Sequence, residues 1–372
     1  MEQRKHKHSL KIKKYIKISF AFLLLFSSIS MTGMVFVFQV FFDRFDSNTR
    51  YLTYEDVADR YDRTVITFKS GKNKLKGYLY GEDYNKGLVV IAHGLGGGAE
   101  NYLAETLYFV DRGWRVFAYD CTGSFGSEGN LNGFPQAVYD LKAALNYIRD
   151  DSSLQQLPLL LYGHSMGGYA VTSVLRYDYD VTGVVSVSGF NSPMEVMVER
   201  ASKFIGILAY LEYPYVWAYQ TLLFGKDTSL KAIDGINHSN TPVMIIHGDK
   251  DRSVSYQGAG IIAYRDRIRN PKVTYSVCNI SPCNDHRNLF VSASAYQYRK
   301  EIKEGYQKLY SSYHRRIPED IKKSYYKAID IWKASELNLE FMDAVNRFYE
   351  SSLEQRTVTL TEPDYPPVTA NR

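Results

Sequence analysis

Ser165 stands in Gly163-His164-Ser165-Met166-Gly167, with the apolar run Leu157–Tyr162 before it and Gly168 after it. This is the G-x-S-x-G pattern, and it needs a strand before it and a helix after it. Residues 169–177 are compatible with that helix. The spacing has a steric origin. A serine on a sharp strand-to-helix turn holds a strained backbone, and glycines at 163 and 167 remove side chains that would clash there. The hydroxyl then projects near the positive end of the following helix. A hydroxyl is a weak nucleophile and requires a base, itself oriented by a carboxylate. Downstream, His247-Gly248-Asp249-Lys250-Asp251 offers two carboxylates, and Asn284-Asp285-His286-Arg287 offers an imidazole in a polar loop.

Elements able to position these groups are legible in the patterning. Residues 63–80 alternate apolar and polar around Gly71-Lys72, which predicts an antiparallel hairpin. From Gly87 onward, short apolar strands alternate with helices: strands at 88–92, 115–119, 157–162, 183–187, 243–246 and 273–277, with helices at 102–111 and 134–149 among them. That order predicts an α/β fold with a largely parallel sheet and helices on both faces. Such sheets carry their sites beyond the carboxyl ends of the strands, where each motif falls.

The motifs taken together are His93-Gly94-Leu95-Gly96-Gly97, Tyr119-Asp120 followed by Gly123-Ser124-Phe125-Gly126-Ser127, the elbow at Ser165, the His247–Asp251 run and the late His286. On these residues the body, about 63–315, resembles the α/β-hydrolase superfamily. It is most similar to the serine hydrolases that include monoacylglycerol-lipase-like esterases and the prolyl-aminopeptidase-like group. One departure is Cys121-Thr122-Gly123-Ser124-Phe125-Gly126, where that group usually has Arg-Gly-His-Gly. It touches shape rather than the catalytic groups.

The resemblance implies the chain order nucleophile, acid, histidine: Ser165, an aspartate near 250, then His286. Asp251 fits the family spacing, with Val254 three residues later, and Asp249 is the competing acid. His6 and His8 precede the apolar segment, His93 and His164 belong to glycine motifs, His238 and His247 lie before or on the acid strand, and His314 lies in a basic stretch. Two backbone N–H groups would hold the developing oxyanion, those of Leu95 and Met166. No cofactor and no metal is expected. The glycine loop at 93–97 lacks the lysine of a phosphate cradle, and the cysteines lack a matched second pair.

The formal charge of +5 is concentrated in residues 1–17, which carry a net +6 and leave −1 for the rest. No nucleic-acid surface is expected on the body. Residues 18–42 contain no charge, and about 20 apolar residues suffice to span a bilayer. The run exceeds the ~7–15-residue core of a cleaved signal. It is read as an uncleaved anchor, with cleavage near Ser27–Gly33 as the alternative. The basic tail then stays cytoplasmic, and a single-pass cell-membrane protein results with its catalytic body outside.

The expected organisation is a basic tail (1–17), a transmembrane anchor (18–42), a stalk or short helix (43–62), the hydrolase body (63–315), a C-terminal helical extension (316–355) and a disordered end (356–372). Within the body, 191–236 is an insertion rich in aromatic residues and leucine, read as an apolar cap with Pro214 dividing it into two helical pieces. Helices packed on the sheet are the competing reading. Cys278 and Cys283 lie close enough in sequence to close a small loop in an oxidising compartment. The chain is expected to cleave a carboxylic ester or related acyl bond of a small or lipid-like substrate. A peptidase or acyltransferase of the same fold, or a non-catalytic scaffold, are the alternatives.

Overall fold

The computed structural model describes residues 2–45 and 51–361. The chain enters through α1 (Glu2–Phe41), whose segment Leu10–Phe41 is long and apolar enough to cross a membrane. Next come the hairpin strands β1 (Arg63–Ser70) and β2 (Asn73–Tyr80), then β3 (Leu88–Ala92), α2 (Leu103–Val110), β4 (Arg115–Tyr119), α3 (Pro135–Asp150), β5 (Leu159–His164), α4 (Met166–Ser173) and β6 (Val181–Val187). The insertion after β6 supplies α5 (Pro193–Ile205), α6 (Ala209–Phe224) and α7 (Ala232–His238). Strands β7 (Val243–Gly248) and β8 (Val273–Cys278) complete the sheet. Helices α8 (Ala293–Ser312), α9 (Glu319–Lys327), α10 (Ile331–Ala334) and α11 (Leu339–Thr361) follow.

The sheet order is β1-β2-β4-β3-β5-β6-β7-β8. Only β2 runs against its neighbours; every other described pairing from β4 to β8 is parallel. The pleat explains how a run such as Leu88–Ala92 can be apolar throughout. Leu88, Val90 and Ala92 point to the face packed by α3, α4 and α7, while Val89 and Ile91 point to the face packed by α2 and α11. Strand β4 divides the same way, Phe117 and Tyr119 to the first face and Val116 and Ala118 to the second.

α11 seals the second face. Its Phe341, Met342, Val345 and Tyr349 are buried, and the Tyr349 hydroxyl donates to the Leu161 carbonyl of β5 at 2.8 Å. The segment expected as a stalk packs on the body in its described residues. Leu52 and Val57 are buried, and Phe45 exchanges backbone hydrogen bonds with Gly123 and Phe125. Residues 46–50 and 362–372 lie outside the described residues, and with them most of the expected disordered end.

The helical break in this insertion falls at Gly206 rather than at Pro214. Gly206 takes φ 59°, a left-handed value that costs glycine little, and α5 ends there. α6 continues through Pro214, whose ring is on the exposed side. One intrahelical bond is forfeited, and packing of α6 against α5 and α1 outweighs it.

One buried charge stands out on α2. Glu105 is 2% exposed and its Oε1 has no hydrogen-bond partner. Burial raises its pKa from 4.5 to about 7, opposed by a backbone hydrogen bond and by the charge of Arg299. A carboxyl raised in the native state binds its proton more tightly there than in the unfolded chain. Its stability contribution is therefore full below pH 4.5 and is lost as pH rises to about 7. Glu105→Gln should melt like wild type near pH 4.5 and be more stable at pH 8 by on the order of 1–3 kcal/mol. Thermal melts at the two pH values check this, and a pH-independent difference contradicts it.

Candidate active site

Ser165 is the turn between β5 and α4, at φ 55° and ψ −113°. No serine adopts this backbone unless its surroundings impose it. The Ser165 N–H donates to Val187 O of β6 at 2.8 Å, and Tyr169 N–H donates to Ser165 O at 3.0 Å. A Cβ on Gly167 would lie 1.9 Å from Ala92 O, and one on Gly163 would lie 2.3 Å from Gly167 O. Any side chain at either position would push the elbow off the sheet.

Three of the anticipated residues meet here across 121 positions of sequence. Ser165 Oγ lies 2.9 Å from His286 Nε2, and His286 Nδ1 lies 2.7 Å from Asp251 Oδ2. Asp251 follows β7, and its side chain is wholly buried. Its Oδ1 accepts from the N–H groups of Ser253 and Val254, each at 2.8 Å. Burial by itself would raise this carboxyl. Hydrogen bonds from His247 and His286 more than offset that, so it is held well below the usual carboxylate range and stays ionised at neutral pH. Asp249 faces elsewhere and accepts from Asn284 Nδ2 at 2.7 Å. Asp285 accepts from the N–H groups of Arg287 and Asn288, which shapes the loop carrying His286. With Nδ1–H held by Asp251, His286 Nε2 is free to take the Ser165 proton.

Leu95 follows β3 and lines the same cavity as Ser165 and His286, a space of about 650 Å³. Its N–H meets no acceptor among the described residues. Met166 is the first residue of α4, where a helix leaves N–H groups without internal partners. Glu105, Arg200 and Arg299 also border this space.

Behind these groups lies a second tier of hydrogen bonds that no pattern in the sequence marks. The Tyr102 hydroxyl accepts from Gly94 N–H at 3.0 Å and donates to His164 Nδ1 at 2.7 Å. His164 Nε2–H in turn donates to the His286 carbonyl at 2.8 Å. Burial lowers the His164 pKa to about 3, with the neighbouring His286 adding to the effect, so His164 is neutral and keeps this tautomer. The histidine inside the serine motif thus joins the glycine loop to the loop that carries His286. His247, read as part of the acid strand, places Nε2 3.0 Å from Val254 O and 3.3 Å from Asp251 Oδ2. Tyr102 had no signal beyond its place eight residues after Gly94. Cys121 is buried, and Cys278 and Cys283 are both free thiols, the latter donating to Val291 O at 3.3 Å. Among the described residues no cluster of His, Cys, Asp and Glu is arranged to hold a metal.

The family described as serine aminopeptidase, S33, matches residues 83–218. A monoacylglycerol lipase of Mycolicibacterium smegmatis is 26% identical over 226 residues, covering 52% of this chain and 79% of the relative. The quorum-quenching protein AidA of Acinetobacter baumannii is 28% identical over 152 residues, and the matched part spans half of that relative's length. In three dimensions the chain is similar to an esterase of Pyrococcus furiosus, with a TM-score of 0.52 at 18% identity, covering 73% of this chain and 98% of the other. The sheet order, the elbow and these similarities together give the chain the α/β-hydrolase fold and make it an enzyme, a serine hydrolase similar to carboxylesterases and lipases.

Proposed function

We propose that this enzyme cleaves a carboxylic ester, with Ser165 as nucleophile, His286 as general base and acid, and Asp251 as the orienting carboxylate. The observation that carries the reading is the unbroken hydrogen-bonded line from Ser165 Oγ through His286 to Asp251, at 2.9 and 2.7 Å. Ser165 Oγ attacks the ester carbonyl carbon while His286 Nε2 takes its proton. The carbonyl oxygen becomes an oxyanion facing the N–H groups of Leu95 and Met166. Collapse of this intermediate breaks the bond to the alcohol, which leaves with the proton from His286, and Ser165 stays acylated. Water then attacks the acyl carbon, gives its proton to His286, and the carboxylic acid departs as Oγ is reprotonated.

The lipase and esterase descriptions of the similar proteins support an ester and an acyl or lipid-like substrate. The description of the matched family supports a peptide bond as the second reading. On this proposal residues 1–17 form a cytoplasmic tail and 18–42 a single membrane span. Residues 63–315 then form an extracytoplasmic body with a cap at 191–236. The lysines before the span and its uncharged length support that orientation.

Ser165→Ala should lower turnover of a short p-nitrophenyl ester by about 10⁴-fold or more and abolish fluorophosphonate labelling without lowering the melting temperature. Retained labelling would remove Ser165 from the role. Asp251→Asn should keep the fold and lose about 10⁴-fold in kcat, because the imidazole is then held in the wrong tautomer. A loss of less than tenfold would point to another acid. Comparing the p-nitrophenyl ester with the matching p-nitroanilide decides between ester and amide.

A further inference from the structure

The apolar length of α1 and its contact with the cap overlap. Lys17 is the last charge of α1, and the cap is first met at Phe26, whose ring lies edge-on to Tyr215 at 6.1 Å. From there α1 runs beside α6. Ser27 Oγ lies 2.9 Å from the Tyr215 hydroxyl, Ser30 Oγ donates to Glu212 at 3.1 Å, and Phe38 meets Tyr219 at 5.2 Å. Between Lys17 and Phe26 only residues 18–25 are free of the cap, a rise of roughly 12 Å against a hydrocarbon thickness of ~30 Å. A spanning α1 must therefore carry residues 26–38 into the bilayer, and the cap packed beside them goes too.

The outer surface of the cap is built for that environment. From Phe204 to Gly225 the sequence contains a single charged residue, Glu212, and it is the one bonded to Ser30 of α1. Phe204, Ile207 and Leu222 are each more than 80% exposed, and Leu211 and Trp217 are about half exposed. A water-facing helix would carry charges on this side. A continuous exposed apolar face marks an interaction surface. Continuity with α1 identifies its occupant as lipid. At the far end of α1, Val40 and Phe41 line the same cavity as Ser165 and His286.

We propose that α5 and α6 are inserted in the bilayer beside α1, with the face formed by residues 204–223 covered by acyl chains. The cavity of Ser165 then opens at the membrane surface and receives its ester from the lipid phase. Insertion rests on α1 being a membrane span, and only the entry of substrate rests on the proposed ester hydrolysis.

The test uses the full chain in phosphatidylcholine vesicles whose acyl chains are brominated, since bromine quenches tryptophan on contact. Of the three tryptophans, Trp114 is in the core, Trp332 is on α10, and Trp217 is the one on the cap face. Quenching should be strong in wild type and largely lost in Trp217→Phe. Equal quenching in the two proteins, while both float with the vesicles, overturns the insertion and leaves α1 as a span. A Trp217 shielded from bromine in a protein that runs as a dimer in mild detergent also overturns it, and assigns the face to a second copy. The double variant Phe204→Asp, Ile207→Asp should lose about tenfold or more on a long-chain acylglycerol in vesicles, while its turnover of a short soluble ester is unchanged. Unchanged turnover of both substrates overturns delivery from the membrane. Wild type inactive on both esters yet quenched at Trp217 keeps the insertion and removes the ester reading.

Discussion

Ser165 holds φ 55° and ψ −113°, and the rest of the catalytic end is arranged around keeping it there. The constraint comes from three parallel strands meeting at one point. Strand β6 takes the Ser165 N–H through Val187 O, and β3 presents Ala92 O where a side chain at Gly167 would have to go. A side chain at Gly163 would run into Gly167 O across the turn. Strain of this kind persists only when the surroundings over-determine it. The buried runs of β3, β5 and β6 supply that rigidity, because each is locked on both faces by side chains of alternate residues.

From the elbow outward the site is a hydrogen-bonded network with few loose ends. Asp251 has both oxygens engaged, by two backbone N–H groups and two imidazoles. That keeps it ionised in a place where burial alone would protonate it. On the other side of Ser165, Tyr102 and His164 connect Gly94 to the backbone of His286. The glycine loop and the loop of His286 therefore share one brace. Buried networks of this sort specify a geometry because a half-satisfied member would be costly.

The first 45 residues are coupled to the body at two levels. Phe38 and Phe42 are buried in the same core as Phe134 and Phe190, and Arg44 donates to Ser127 O at 2.6 Å. Above that, Ser27 and Ser30 make polar contacts with α6. α1 is thus a packed element as well as an apolar helix, and its far end borders the cavity that holds Ser165.

Local chemistry was sufficient for much of this. Alternation around Gly71, short apolar runs from Leu88 to Val277 and the 163–168 turn are patterns within a few residues, so the sheet and the elbow were legible in the chain itself. The uncharged run 18–42 likewise declares a helix suited to lipid by composition alone. The break at Gly206 was misplaced at Pro214, because a proline's cost depends on whether packing can outweigh one lost bond. Tyr102, His164 and His247 carry no motif for their roles, since each acts through a partner far away in sequence or through a backbone carbonyl. Sequence by itself determined which residues could do chemistry and which segments form strands, because both depend on side-chain type and short-range period. Only the tertiary structure decided that His164 braces the backbone of His286, that α11 seals the sheet and that α1 lies against α6. Those are contacts between surfaces, and a linear pattern does not say which surfaces will meet.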